Sequence, residues 1–196
     1  MILGNSGYRI PNGDQFSVRH SNILIDEVQN YDLSPFKQYI TESVILDLGA
    51  HIGCVSKLFY EMGAKKVISV EPNSDLIECL KANIEPYESY IVEGAVTNTR
   101  DKVVNLYKHP LDNTSGTVVE KSTSHWHQSV VPWEVTNYNF LDLVDEYNPS
   151  VVKMDIEGSE WEILLDPPPK SIDLLLIEWH NNLQHDVRNL PEWVSD

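Results

Sequence analysis

The sequence predicts an α/β fold: a mostly parallel, twisted sheet flanked by helices, with an N-terminal β-rich cap and an inserted pair of strands. Three observations predict it. Short apolar runs at about 44–47, 67–71, 90–93, 151–155 and 172–178 have the length of buried strands. Most alternate with segments whose apolar residues recur at helical spacing, the pattern of parallel strands joined by crossover helices. Acids close the runs, at Asp47, Glu71, Glu93, Asp155 and Glu178. The crossover rule then gives the spatial strand order third-second-first-fourth-fifth, with ligands expected beyond the carboxyl ends. With 196 residues the chain suits one domain with a substantial core, divided as a cap over 1–43 and a binding and catalytic core over 44–180.

In the cap, Gly4, Gly7, Pro11, Asn12 and Gly13 punctuate the short runs Tyr8-Arg9-Ile10 and Phe16-Ser17-Val18, which is hairpin chemistry. Pro35 precedes a short helix ending before Thr41. The segment is expected to cover one edge of the core and to touch the ligand.

The stretch from Val44 to Asn73 organises the rest. The first strand ends at Asp47 and the chain turns through Gly49-Ala50-His51-Ile52-Gly53. A helix follows with Val55, Leu58, Phe59 and Met62 on one face, and Gly63 stands where a helix C-terminal glycine belongs. The second strand ends at Glu71, about 20 residues beyond the turn, where a carboxylate can accept both hydroxyls of a ribose. This is a nucleotide cradle whose glycines allow close approach of backbone to ligand. The dinucleotide spacing G-x-G-x-x-G is absent, and Asp47 suits an ammonium or sulfonium better than a pyrophosphate.

Asn73 or Ser74 caps the next helix, which buries Leu76, Ile77 and Leu80. The third strand ends at Glu93-Gly94-Ala95, where small residues leave room for an adenine ring. Between Arg100 and Thr136 the alternation breaks. Two strands, near 102–107 and 130–136, are expected to flank a loop holding Asp112 to Gly116 and His125-Trp126-His127. The two histidines have no companion ligand at metal-site spacing, so a polar loop is expected. A helix over about 140–147 leads into the fourth strand. A helix with Trp161, Leu164 and Leu165 follows it, stopped by Pro167-Pro168-Pro169.

Composition narrows the partners. Fourteen basic residues against 30 acidic ones give a net charge of −16, which argues against an extended nucleic-acid surface. No long apolar run or leader indicates a membrane span or signal peptide, and two isolated cysteines, Cys54 and Cys79, fit a reducing, cytoplasmic setting. Five acids on one rim call for a cationic ligand.

Three blocks in order, VILDLGAHIG, VVKMDIEGSEWEIL and LLLIEWH, resemble the FkbM-type family of S-adenosylmethionine-dependent methyltransferases. Asp47, Gly49, Ala50 and Gly53 match its first glycine motif, Glu71-Pro72 its second-strand acid, and Asp155, Glu157, Gly158 and Glu160 its Asp-x-Glu-Gly-x-Glu block. The resemblance covers roughly residues 20–180 and implies a Rossmann-like methyltransferase fold, S-adenosyl-L-methionine as cofactor, and O-methylation of a hydroxyl on a glycan or small metabolite. His51 departs from the usual asparagine. The chain also ends soon after the fifth strand, so that edge is expected either to be completed by the strands near 102–107 and 130–136 or to be left short.

The residues expected to bind the cofactor are Asp47, Gly49, Ala50, His51, Gly53, Glu71, Asn73, Gly94, Ala95 and Asp155. Asp155, His180 and Glu178 are the catalytic candidates, with Asp155 or His180 as general base; unperturbed, an imidazole has a suitable pKa. Glu157 could orient either. A divalent metal on these acids is possible but not expected. The other readings are a nicotinamide-dependent oxidoreductase and a catalytically silent nucleotide-binding module of the same fold.

Overall fold

The computed structural model describes residues 1–13, 15–109, 112–118, 131–180 and 186–194. In chain order the elements are β1 (Ile2–Leu3), β2 (Arg9–Ile10), α1 (Gln15–Gln29), α2 (Lys37–Ile40), β3 (Val44–Leu48), α3 (Cys54–Glu61), β4 (Lys66–Glu71), α4 (Ser74–Ile84), β5 (Tyr90–Glu93), β6 (Ala95–Thr97), β7 (Val103–His109), β8 (Asp112–Thr117), β9 (Val131–Asn139), α5 (Phe140–Tyr147), β10 (Val151–Met154), α6 (Glu160–Ile163) and β11 (Leu174–Ile177).

The main sheet has five parallel strands in the order β11-β10-β3-β4-β5, as the crossover rule predicts. Alternate residues of each strand serve opposite faces. Leu46, Leu48, Ile68, Val70, Val152 and Met154 pack against Phe140, Leu143 and Val144 of α5. Ile45, Val67 and Val151 share the other face with Phe59 of α3 and Ile40 of α2. A sheet apolar on both faces must be covered on both, which the helices do. Asn73 caps α4 by accepting Asp75 N–H, and Asn139 caps α5 by accepting from Leu141 and Asp142.

The cap differs from the expected β-rich segment. Only a two-residue hairpin, β1 with β2, is β structure. Phe16-Ser17-Val18 lies in the 15-residue helix α1. The apolar spacing explains the correction, because half-buried Val18 and buried Ser21, Ile25 and Val28 recur at helical intervals. α1 and the hairpin enclose a core of Tyr8, Ile10, Ile25, Val28, Ile52 and Leu76. Asn83 of α4 fastens the hairpin, accepting Arg9 N–H at 2.6 Å and donating to the carbonyls of Arg9 and Ile52.

The inserted strands form a second sheet, in the order β6-β9-β7-β8, and do not complete the edge of the first. β6 continues from β5 after Gly94 and runs parallel to β9, while β7 pairs antiparallel with β8 and β9. Asp112 to Gly116, expected in a loop, belongs to β8: backbone pairing with β7 outweighs the polar, turn-prone composition that suggested a loop. His125-Trp126-His127 lies outside the described residues. The helix expected to carry Leu165 is the single turn α6, and Leu165 is exposed. Among the described residues, no helix is long and apolar enough to cross a membrane. Both cysteines are free and buried.

Candidate active site

A cleft of about 760 Å³, part of it open to solvent, lies beyond the carboxyl ends of β3, β4 and β10. Its lining includes Gly49, His51, Glu71, Gly94, Ala95, Asp155 and Glu157, joined by His20 and Leu24 of α1 and by Leu106 and Val118 of the inserted segment. The cap therefore reaches this cleft.

The turn after β3 is built from left-handed backbone at Gly49, His51 and Gly53. Gly49 is needed because a Cβ there would lie 1.8 Å from the carbonyl oxygen of Asp155, and Gly53 because its Cβ would press on Leu80 at 2.7 Å. The close approach these glycines permit is thus first to the protein itself. His51 has φ +52°, a conformation that asparagine and histidine tolerate better than most residues. That explains how histidine can stand where the resembling family has asparagine.

Glu71 is 6 % exposed and held rigidly. One carboxylate oxygen accepts His51 N–H at 2.9 Å and the other accepts Asn73 N–H at 2.8 Å. These two hydrogen bonds fix the carboxylate at the end of β4, on the lining of the cleft. Gly94 is small for a packing reason as well, since a Cβ would strike the Tyr138 ring at 2.6 Å.

The expected rim of five acids is not formed. Asp47 is fully buried beneath the turn, where it accepts the Ser56 hydroxyl at 2.5 Å and lies 3.5 Å from the Lys153 ammonium. Glu93 is exposed and does not line the cleft, and Glu178 faces a second cavity. Ala50, Gly53 and Asn73 also lie outside the cleft lining: Ala50 packs with Leu80 and Ile84, and Asn73 caps α4. The physical reason for the buried Asp47 is register. Lys153, Asp47 and Ser69 pair across adjacent strands and point to one face, where Ser56 of α3 meets them.

Lys153 was not anticipated as a site residue. Its ammonium donates to the Gly49 carbonyl at 2.9 Å and lies 3.3 Å from Asp155. Burial alone would lower its pKa, but the Asp155 and Asp47 carboxylates hold it above the ordinary lysine range. The chain thus supplies part of the cation that its own acids require. A lone lysine inside the apolar run VVKM is the signal that could have found it.

The turn after β10 is organised by Glu160, which is completely buried. Its carboxylate accepts Ile156 N–H at 2.8 Å and Gly158 N–H at 2.7 Å, and one of its oxygens lies 3.1 Å from His180 Nδ1. Glu157 takes φ +57° in this turn, and its carbonyl accepts the Thr117 hydroxyl at 2.6 Å. Beyond Glu160, His180 has the carboxylates of Glu157, Asp155 and Glu178 within 3.6 to 3.8 Å of Nε2. Burial would lower its pKa, but the Glu160 hydrogen bond and the surrounding carboxylates push it up to about 9. These carboxylates favour the protonated imidazole at neutral pH, which weighs towards Asp155 as the base. Burial pushes the Glu157 carboxyl up to about 7, with help from Asp155, Glu160 and Glu178 and against His180.

The Methyltransferase FkbM domain family matches residues 47–195. The chain belongs to this family. The match contains both turns and every acid of the cleft. No curated protein matches the chain. Among solved structures, a Pyrococcus horikoshii protein provisionally named an RNA methyltransferase is similar at 23 % identity and TM-score 0.38, over 50 % of this chain and 52 % of that one. The chain thus spans about half the length of that protein. A Listeria monocytogenes protein provisionally named an S-adenosylmethionine-dependent methyltransferase shares 21 % identity over 32 % of this chain and 31 % of that one, at TM-score 0.28. Phosphoethanolamine N-methyltransferase 1 of Haemonchus contortus, solved with phosphoethanolamine and S-adenosylhomocysteine, shares 17 % identity over 39 % of this chain and 21 % of that one, at TM-score 0.26. These overlaps are too partial to bear on activity.

Proposed function

We propose that this protein is an S-adenosylmethionine-dependent methyltransferase acting on a hydroxyl oxygen of a glycan or small metabolite. The observation that carries the reading is Glu71: a rigid carboxylate at the end of β4, facing the cleft beside Gly49, Gly94 and Ala95. That arrangement fits a nucleoside, with a carboxylate for the ribose diol and small residues where the base would lie. Asp155 and Glu157 line the same cleft and suit a ligand bearing a sulfonium and an ammonium. Membership of the FkbM family supports the same cofactor.

When bound, the cofactor supplies an electrophilic methyl group, so the protein's task is to position and deprotonate the acceptor. Asp155 is the candidate for the second role. It lies at the junction of β10 and β3, and Lys153 at 3.3 Å holds its carboxylate in place. It takes the acceptor's hydroxyl proton as the oxygen becomes bound to carbon. His180 stands behind it, with Nε2 3.8 Å from Asp155 Oδ1.

Calorimetry with S-adenosylhomocysteine and with a nicotinamide dinucleotide tests the reading. Binding of the first alone is expected; binding of the second alone would make the chain an oxidoreductase, and binding of neither would defeat the proposal. Once an acceptor is known, Asp155→Asn is expected to lower turnover about 100-fold or more, the scale of a lost general base, and cofactor affinity by much less.

A further inference from the structure

Asp155 and Glu178 follow directly on β10 and β11, which pair with Met154 opposite Ile177, and His180 stands two residues beyond Glu178. One ligand atom from each of the three lies within 4.8 Å of the other two. The histidine is aimed. Buried Glu160 holds Nδ1 at 3.1 Å, and the Trp161 indole N–H donates to the His180 carbonyl at 2.6 Å. A carboxylate behind one ring nitrogen is how metal-bound imidazoles are oriented. Nε2 is then left 3.8 Å from both Asp155 Oδ1 and Glu178 Oε1. That is too long for a hydrogen bond, but close to the roughly 3.4 Å between ligands each about 2.1 Å from a tetrahedral ion.

A second observation points to a ligand here. Glu178 and Lys153 line a second cavity with Tyr31, Leu33, Val55 and Leu176. Asp155 lines the first cleft, so the three residues bridge the two spaces. We infer that Asp155, Glu178 and His180 bind one divalent cation whose open positions take oxygen atoms of the methyl acceptor. With the Nε2 proton displaced by the cation, two carboxylates and an imidazole make a mixed donor set that suits a first-row ion such as Mn²⁺. Glu157 stands at the rim, 3.6 Å from Nε2. A cation there would draw the acceptor oxygen to the junction of the two cavities and favour its deprotonated form. The role at the acceptor rests on the methyltransferase reading; binding of the cation does not.

Mn²⁺ titration of the chelator-stripped full chain, followed by loss of the free-ion electron paramagnetic resonance signal, tests this. One saturable site per chain is expected, weakened at least tenfold in Glu178→Gln and in His180→Gln and unchanged in Glu61→Gln, a carboxylate on α3. Glu178 is more than half exposed, so its variant is expected to fold even where His180→Gln does not. Absence of a saturable site would overturn the inference, and so would a site equally strong in Glu178→Gln, which would mark the acidic surface as the binder. S-adenosylhomocysteine affinity, measured on the same preparation, keeps the outcomes apart. Cofactor binding without Mn²⁺ binding defeats the cation site alone; the reverse defeats the methyltransferase reading alone.

Discussion

Two turns meet at the cleft, Gly49 to Gly53 after β3 and Asp155 to Ser159 after β10, and they are built by the same device. Each contains left-handed backbone, at Gly49, His51 and Gly53 in one and at Glu157 and Gly158 in the other. Each has an amide of a left-handed residue tied down by a buried glutamate: Glu71 holds His51, and Glu160 holds Gly158 together with Ile156. The difference lies in what else the glutamate meets. Glu71 faces the cleft, whereas Glu160 is enclosed and spends its remaining capacity on His180. The same residue type can therefore be a ligand-facing group in one turn and an internal brace in the other.

If that contrast is right, Glu160→Ala should give the largest loss of stability. It strands two amides and a protonated imidazole, at a cost of about 3–5 kcal/mol, the scale of breaking a buried ion pair. Urea denaturation reads this directly, and a cost below about 1 kcal/mol would show that the turn holds itself. Gly49→Ala should come next, at about 3 kcal/mol, from left-handed strain and collision with the Asp155 carbonyl. Because that collision joins the two turns, the variant should perturb the amide resonances of 155–158 as well as its own; undisturbed resonances there would sever the comparison.

Glu71→Ala tests the ligand-facing member. Loss of hydrogen bonds to a charged group predicts about 1.5–3 kcal/mol of S-adenosylhomocysteine affinity, roughly 10- to 150-fold. An unchanged dissociation constant would make Glu71 a brace like Glu160.

The smallest effect expected is the pH dependence of the second turn, measured with metal chelated. His180 is raised from its ordinary value to about 9, so its contribution is full below about 6.5 and is lost as pH climbs through 9. Glu157, raised to about 7, acts in the same direction between about 4.5 and 7, because the native state binds the extra proton. Stability should fall with rising pH by about 1 kcal/mol after allowing for solvent exposure. A denaturation midpoint that rises from pH 6.5 to 9 would contradict the charge arrangement around His180.

The two turns were not equally legible in the sequence. Strand order followed from apolar runs and the handedness of crossovers, which depend only on local pattern and chain chirality. Glycine at 49 was visible, but the reason for it was not, since the obstacle is a carbonyl more than 100 residues away. Asp47 read as a ligand-facing acid because its partner, Lys153, becomes its neighbour only through strand register. Glu160 appeared within a motif, but its bracing role needs a folded turn to be seen. The helix α1 was missed because glycine and proline before it outweighed the apolar spacing within it. The strand β8 was missed because the sequence from Asp112 to Gly116 is polar and turn-prone, and only its backbone ladder with β7 marks it as a strand.

The second sheet leaves the first at Gly94 and comes back at Asn139, and its two ends are stitched together at the base. β6 and β9 run side by side there, and Asn137 accepts the Thr97 hydroxyl at 3.0 Å and donates to the Asp101 carbonyl at 2.8 Å. This seam ties the start of the excursion after β5 to its return before α5. The strands above it furnish Leu106, and the chain beyond β8 furnishes Val118, as one wall of the cleft. The cleft is thereby divided like a socket and its fitting: the main sheet carries the cradle around Glu71, and the excursion above the seam supplies the wall that faces it.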